Sequence, residues 1–377
     1  MTVNSKKIII LGGSYGAILA LRTLLSRNNN PSDISLSISI ISPNDYTYFN
    51  IATPRLLIEP ESVEKVVFSI TEIISHLCAN NPSHNVEHVQ GSVREVDLEE
   101  RKVYLYKSDI SYDYDNLIVA TGTRMESSVF KLDNIRDQNY SIQQLKSLVE
   151  NIKEADSIAV VGGGITGVEV AAELASNYGK DKTIDLYTGN KYPLPELKEY
   201  HRNIVIDKLT DFGAQIINNE KVGISKDFKS ITLSDGTKKE YSLIIPAFKH
   251  TPNTEFLPDS VLSTSGYVYT DGHLRLTQYH KVIVLGDILE MAMSSVVDLM
   301  YSQKAVFEAT VDLEIFEQKS VQLREYQKCD TSYRFVVPLG KDGGIGAMFG
   351  FPLPNFVVRF AKARNYFIPK AKEFLGY

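Results

Sequence analysis

Tryptophan is absent from this chain, and cysteine nearly so: among 377 residues only Cys78 and Cys329 occur. The missing Trp has no functional reading. The shortage of cysteine does have one. The two thiols form no C-x-x-C, which argues against a disulfide-exchange centre, and with the rest of the composition it suggests a reducing compartment. An excess of positive charge is missing as well. Lys and Arg number 40 against 46 Asp and Glu, a net charge of −6, so no nucleic-acid partner is expected. No apolar run is long enough to cross a membrane. Lys6-Lys7 followed by Ile8–Leu21 has the outline of a signal peptide, but Gly12-Gly13-Ser14 interrupts it. Residue 2 is Thr, where N-myristoylation needs Gly. There is no internal repeat, and the short Asn28–Asn30 run reads as a loop. No metal site is expected.

What is present is ordinary in bulk: 43% apolar and 23% charged residues, in a chain long enough for two or three domains. Its organising stretch is Ile158–Glu173, I-A-V-V-G-G-G-I-T-G-V-E-V-A-A-E. A short apolar strand runs into Gly162, Gly164 and Gly167, spaced G-x-G-x-x-G, and a helical pattern follows. Gly162 permits the turn, Gly164 lets backbone approach a pyrophosphate, and Gly167 lets helix pack on strand. The helix N-terminus then offers free N–H groups to phosphate.

A second, altered copy lies upstream. The strand Lys7–Leu11 leads into Gly12-Gly13-Ser14-Tyr15-Gly16-Ala17 and a helix to about Ser26. Ser14 replaces the second glycine; its hydroxyl is suited to donate to a phosphate oxygen. The next strand, Leu36–Ile41, ends on Ser42, where an acid usually holds a ribose 2′-OH. Arg55 closes an aromatic-rich stretch and reads either as a surface charge or as a group reaching a pyrophosphate. Residues 62–77 read as a helix, Val86–Val93 and Arg101–Tyr106 as strands, and Tyr114–Gly122 as a buried strand ending in Ala120-Thr121-Gly122, a turn fit to lie against a ligand. In the second unit the strand Thr183–Tyr187 is followed by Thr188-Gly189-Asn190-Lys191, with neither a carboxylate nor an arginine, so NADH and NADPH stay open. Ser230–Leu233 and Lys239–Pro246 read as a hairpin. Val282–Asp287 is a strand ending on Gly-Asp, with Asp287 placed to accept hydrogen bonds from a cofactor sugar chain. A helix follows over 295–314.

In order, G-G-S-Y-G-A, A-T-G at 120–122, G-G-G-I-T-G-V-E at 162–169, P-N-T at 252–254 and L-G-D at 285–287 resemble the flavoprotein reductases with two dinucleotide domains. The tail, Leu339–Phe367, with G-K-D-G-G-I-G and V-V-R-F-A-K-A-R-N-Y-F, is similar to that of the ferroptosis suppressor protein family and its fungal apoptosis-inducing-factor-like relatives. The resemblance covers nearly the whole chain. It implies an α/β fold with two Rossmann-like domains and a small C-terminal module. FAD would bind residues 1–124 and 248–315, NAD(P)H the inserted 125–247, and residues 316–377 would lie against the flavin. It implies FAD contacts from the first glycine loop, Gly12, Gly13, Ser14, Tyr15 and Gly16, and from Arg55, Val93 and Asp287; Thr121 and Gly122, in the small-residue turn, are expected to lie against the cofactor as well. It places Glu169 near nicotinamide and flavin, although a carboxylate at a helix start also has a plain structural reading. Lys362 and Phe367 match the tail motif. Departures are Ser14, Ser42 and Phe248-Lys249-His250, where a glycine commonly precedes P-N-T.

The reaction implied is hydride transfer from NADH or NADPH to FAD, and then to a quinone, with Glu169 and Lys362 as catalytic residues. The stretch 347–377 is aromatic and basic, carrying Arg359, Lys362, Arg364, Lys370 and Lys372. It reads either as a capping helix with a solvated face or as a segment lying in a membrane interface. The resemblance favours the second, in a cytoplasmic protein held peripherally on a lipid droplet, the outer mitochondrial membrane or another membrane. Two alternatives stand beside this: a soluble reductase serving a protein or oxygen, and a non-catalytic, NADH-responsive interaction protein.

Overall fold

The computed structural model describes residues 5–27, 34–79, 81, 84–131, 140–248, 250–293, 295–328, 330 and 332–376. Lys249 and Cys329 lie outside them. Two parallel sheets dominate. The first has five strands in the order Val282–Val284, Asn116–Val119, Ser5–Leu11, Ser35–Ser42 and Asn85–Gln90. The second has four, in the order Ala214–Ile217, Thr183–Tyr187, Ser157–Val161 and Leu243–Pro246. The strands that precede the two glycine motifs are interior in both, and their Ile8–Leu11 and Ile158–Val161 stretches are apolar and buried, as parallel strands between helix layers must be. Each opens at its C-terminal end into a helix, Tyr15–Leu25 and Ile165–Tyr178.

Three segments depart from the sequence reading. Residues 62–77 are not one helix: a 3₁₀ turn Pro60–Lys65 and a short strand Val67–Ser69 precede the helix Ile70–Cys78. The β-branched Val66-Val67 run pairs better with Tyr46–Tyr48 than it winds. Ser69 then caps the helix, accepting from the Glu72 N–H at 3.3 Å. Val86–Val93 is broken at Gly91; Val93–Asp97 belongs to a separate antiparallel sheet with Lys102–Leu105 and Ser111–Asp113. Of the second hairpin arm only Lys238–Glu240 pairs with Ser230–Thr232. The all-buried Leu243–Pro246 instead completes the second parallel sheet.

The two units meet through antiparallel strands Thr123–Met125 and His250–Pro252. The C-terminal segment forms a three-stranded sheet, Phe335–Pro338, Gly344–Met348 and Phe351–Pro352, and a helical stretch starting at Asn355. Its apolar residues Phe335, Val337, Ile345 and Tyr366 share one continuous core with the second unit and with Tyr48–Leu57 of the first. This module is therefore built into the body of the protein. Among the described residues no helix is long and apolar enough to cross a membrane.

Candidate active site

A cavity of about 1630 Å³ runs between the two sheets. That exceeds the ~300–1,000 Å³ typical of a single small-ligand pocket and suits two dinucleotides meeting end to end. Gly12, Gly13, Ser14, Tyr15, Gly16, Val93, Thr121, Gly122, Gly164, Glu169, Asp287 and Lys362 all line it. Of the residues picked out from sequence, Gly162, Gly167 and Arg55 do not.

The glycines divide by what a side chain would meet. At Gly12, with φ +122°, a Cβ would lie 2.4 Å from Ala120 O; at Gly162, with φ +132°, 2.5 Å from Ala247 O. At Gly167 it would lie 1.8 Å from Gly162 O. These three let strand, turn and helix close on one another. Gly164 is different, since a Cβ there would meet nothing within 4 Å. Its backbone faces the cavity, as a phosphate-approach position should. The expected result is that Gly164→Ala folds with wild-type stability but raises KM for NAD(P)H about tenfold, roughly one lost hydrogen bond to a charged group. Gly167→Ala should be recovered poorly or not at all. Expression yield, thermal melts and initial rates test both.

Ser14 stands at the N-cap of the first helix without a capping bond of its own; Thr47 Oγ1 lies 3.4 Å from its hydroxyl. Ser42 is buried, with its hydroxyl donating to Asn44 O at 2.7 Å and 2.9 Å from His88 Nε2. The A-T-G and P-N-T motifs, far apart in sequence, interlock. Thr121 Oγ1 donates to Asn253 O at 2.6 Å, and Asn253 Nδ2 donates back to Thr121 O at 2.9 Å. At the Gly-Asp strand end, the Gly286 N–H donates to Gln303 Oε1 at 2.7 Å, and Gln303 Nε2 donates to Asp298 Oδ2 at 2.9 Å. This buried chain fixes Asp287 at the cavity edge. There its carboxylate meets the Lys131 ammonium, which also donates to Thr123 Oγ1 at 2.6 Å.

At the junction of the two units Glu169 is buried, and its Oε1 accepts from Lys362 Nζ at 2.6 Å. Burial pushes the Glu169 carboxyl above the usual carboxylate range, and the Lys362 charge opposes that shift. Lys362 reaches inward because the helix Asn355–Val358 continues into a π turn, Arg359–Ala363, closed by Arg364 N–H on Arg359 O at 2.9 Å. Such turns occur often at functional sites.

Arg55 corrects the sequence expectation of a pyrophosphate contact. Its guanidinium is fully buried and forks onto Glu173, Nε to Oε2 at 3.0 Å and Nη2 to Oε1 at 2.8 Å. It also donates to Ala363 O at 3.0 Å and Arg364 O at 3.3 Å, and stands 5.2 Å from the Tyr366 ring centroid. Burial raises the Glu173 carboxyl, against the pull of Arg55. Glu173 is one helical turn beyond Glu169, and Ala363 follows Lys362. Arg55 thus holds the neighbours of both members of the Glu169–Lys362 pair. Sequence reading missed Glu173 and Tyr366. A signal for Glu173 existed: two carboxylates four residues apart interrupt an otherwise apolar helix, V-E-V-A-A-E-L-A, which requires buried partners.

Two facing glycine loops, an open Gly164 backbone and a cavity of dinucleotide size fit FAD and a nicotinamide dinucleotide. The chain is an FAD-dependent NAD(P)H oxidoreductase, a mixed α/β protein with two Rossmann-like units. The chain belongs to the pyridine nucleotide-disulphide oxidoreductase family, whose model matches residues 6–309. It is 27% identical to Oxidoreductase ptaL of Pestalotiopsis fici, over 94% of each chain. It is 22% identical to human Ferroptosis suppressor protein 1, over 96% of this chain and 93% of that one. Among solved structures, the sulfide:quinone oxidoreductase of Aquifex aeolicus superposes with a TM-score of 0.70 at 15% identity, covering 98% of this chain and 92% of that one. With only two cysteines and no C-x-x-C, this member does not carry the disulfide motif that the family description suggests.

Proposed function

We propose that the chain passes electrons from NAD(P)H, by way of FAD, to a quinone that enters from a membrane surface. The observation that carries this reading is the Glu169–Lys362 pair, buried at 2.6 Å on the cavity wall. The segment that turns Lys362 inward also presents Phe356 and Phe360 outward, each 63% exposed. Phe351, Phe349, Met348 and Tyr333 of the same module are exposed as well, and Arg359, Arg364, Lys370 and Lys372 belong to it. Apolar and aromatic groups among cations are the composition that settles into a headgroup interface. A sulfide:quinone oxidoreductase shares the fold.

When bound, FAD accepts a hydride from the nicotinamide and releases the electrons to an acceptor. The protein's part is positioning and proton supply. The first glycine loop, Ser14, Thr121, Gly122, Val93 and Asp287 hold the FAD. Gly162, Gly164 and Gly167 shape the nucleotide loop. The Lys362 ammonium, oriented by Glu169, hydrogen-bonds the acceptor oxygen and supplies its proton. In this reading residues 1–124 with 248–315 form the FAD domain, 125–247 the nucleotide domain and 316–377 the acceptor-side module. The protein would sit at the cytoplasmic face of a membrane, such as a lipid droplet or the outer mitochondrial membrane.

The test is an anaerobic titration of the purified protein. NADPH or NADH should bleach the flavin absorbance, and a short-chain quinone should restore it. Recovery only on admitting oxygen would favour the oxidase alternative. Absent flavin, or flavin that never bleaches, would overturn the reductase reading and bring forward the NADH-responsive interaction protein.

A further inference from the structure

The end of the strand Thr183–Tyr187 is where a unit of this kind meets the adenosine ribose. Residues 187–195, which follow, contain no carboxylate. They lie directly against the second glycine motif. A Cβ on Gly163 would fall 2.3 Å from Thr188 Oγ1, and the Leu194 N–H donates to Gly163 O at 2.8 Å. Lys191, on this loop, is exposed, with Nζ 5.2 Å from the Tyr192 ring centroid.

A second lysine comes to the same place from elsewhere in the chain. The Asn219 N–H donates to Asn190 O at 2.9 Å, and the Glu220 N–H to Thr188 O at 3.1 Å. That backbone pairing lays exposed Lys221 along the loop, its Cγ 2.9 Å from where a Gly189 Cβ would stand. The carboxylate brought in beside it, Glu220, accepts the Ser234 N–H at 2.6 Å. Arg202 is tied to the loop backbone through Leu197 O, its guanidinium 5.1 Å from the Tyr192 ring centroid.

We propose that Lys191 and Lys221 bind the 2′-phosphate of NADPH, so that the enzyme selects NADPH over NADH. A ribose 2′-OH is favoured by a carboxylate that accepts from it; residues 187–195 have none, and the loop's one acid, Glu196, lies beyond them on the cavity wall. A phosphate gains charge-assisted hydrogen bonds from two ammonium groups on flexible stems. The sequence around Tyr187 shows only one of the two lysines; the other arrives through the tertiary pairing of 188–190 with 219–220. The inference rests on nicotinamide dinucleotide binding at the second glycine motif, and not on the identity of the acceptor.

The experiment is calorimetric titration of the purified holoprotein with 2′,5′-ADP and with 5′-AMP, which differ only in the 2′-phosphate and need no turnover. The former is expected to bind tighter by about tenfold or more, with the advantage shrinking as salt rises. Lys191→Gln with Lys221→Gln should abolish the difference and lower the NADPH-to-NADH ratio of kcat/KM by a similar factor. Equal affinity of the two probes in the unaltered protein would overturn the proposal. So would a difference that survives the double substitution, or a loss of kcat/KM shared equally by both nucleotides. A protein that prefers 2′,5′-ADP yet never reduces quinone would sustain this inference while removing the proposed acceptor.

Discussion

Replacing Arg55 by methionine is expected to lower stability by about 3–5 kcal/mol while FAD stays bound. The size follows from burial. Arg55 and Glu173 are both inaccessible to solvent, and the guanidinium is spread over two carboxylate bonds and two carbonyls. Removing it leaves a buried carboxyl without its cation and frees the Ala363 and Arg364 carbonyls. FAD retention follows from position, because Arg55 does not line the cavity. Arg55→Lys should recover only part of the loss, since an ammonium cannot fork onto both oxygens and also reach the carbonyls. Denaturant melts read stability, and the ratio of flavin to protein absorbance reads occupancy. A variant that melts normally but loses flavin would restore the pyrophosphate contact suggested by the sequence and overturn the clamp.

Lys362→Glu is expected to depress quinone turnover about 100-fold or more, the span over which a positioned proton donor acts. It should leave anaerobic bleaching of the flavin by NADH at its normal rate. The substitution sets a second carboxyl against Glu169 in a buried place, where both cannot ionise, and removes the only cation within hydrogen-bond distance of Glu169 among the described residues. The unaltered enzyme should show an acid limb in quinone turnover. Protonating Glu169 releases Lys362 from its partner, and burial lifts that carboxyl above its ordinary 4.5, so activity falls as pH drops through a midpoint above that value. The limb should vanish in Glu169→Gln. Unchanged quinone turnover in Lys362→Glu would end the proton-supply reading. Slowed bleaching with normal quinone turnover would place Lys362 on the nicotinamide side instead.

These two results separate what holds the site from what acts in it. Arg55 reaches across three parts of the molecule: its own segment after the first sheet's second strand, the helix Ile165–Tyr178, and the C-terminal module. Glu169 and Lys362, 193 residues apart, are brought to one point with their neighbours pinned by that single side chain. The module's core is continuous with the second unit, so its helical segment offers a firm base for a lysine aimed into the cavity.

The sequence by itself determined the two dinucleotide units, because their signals are local. An apolar strand, a glycine turn and a helix start lie within about 16 consecutive residues and obey steric rules that need no partner. The cavity-lining positions Gly12, Gly164, Thr121 and Asp287 were legible for the same reason. Local pattern failed where one segment had two outlets. Val66–Ser69 could wind or pair, and the presence of Tyr46–Tyr48 decided it. Leu243–Pro246 could close a hairpin or enter a sheet, and four buried apolar side chains sent it to the sheet. Only tertiary structure decided the partners of the charges. Arg55 read alone is an anion-binding side chain; once buried it must find a carboxylate, and the helix carrying Glu173 supplies it. The second lysine beside the loop that follows Thr183–Tyr187 is likewise invisible in sequence, because it arrives on another strand's connection. Long side chains can reach across elements distant in the chain, and desolvation, which no local pattern encodes, determines which of them must pair.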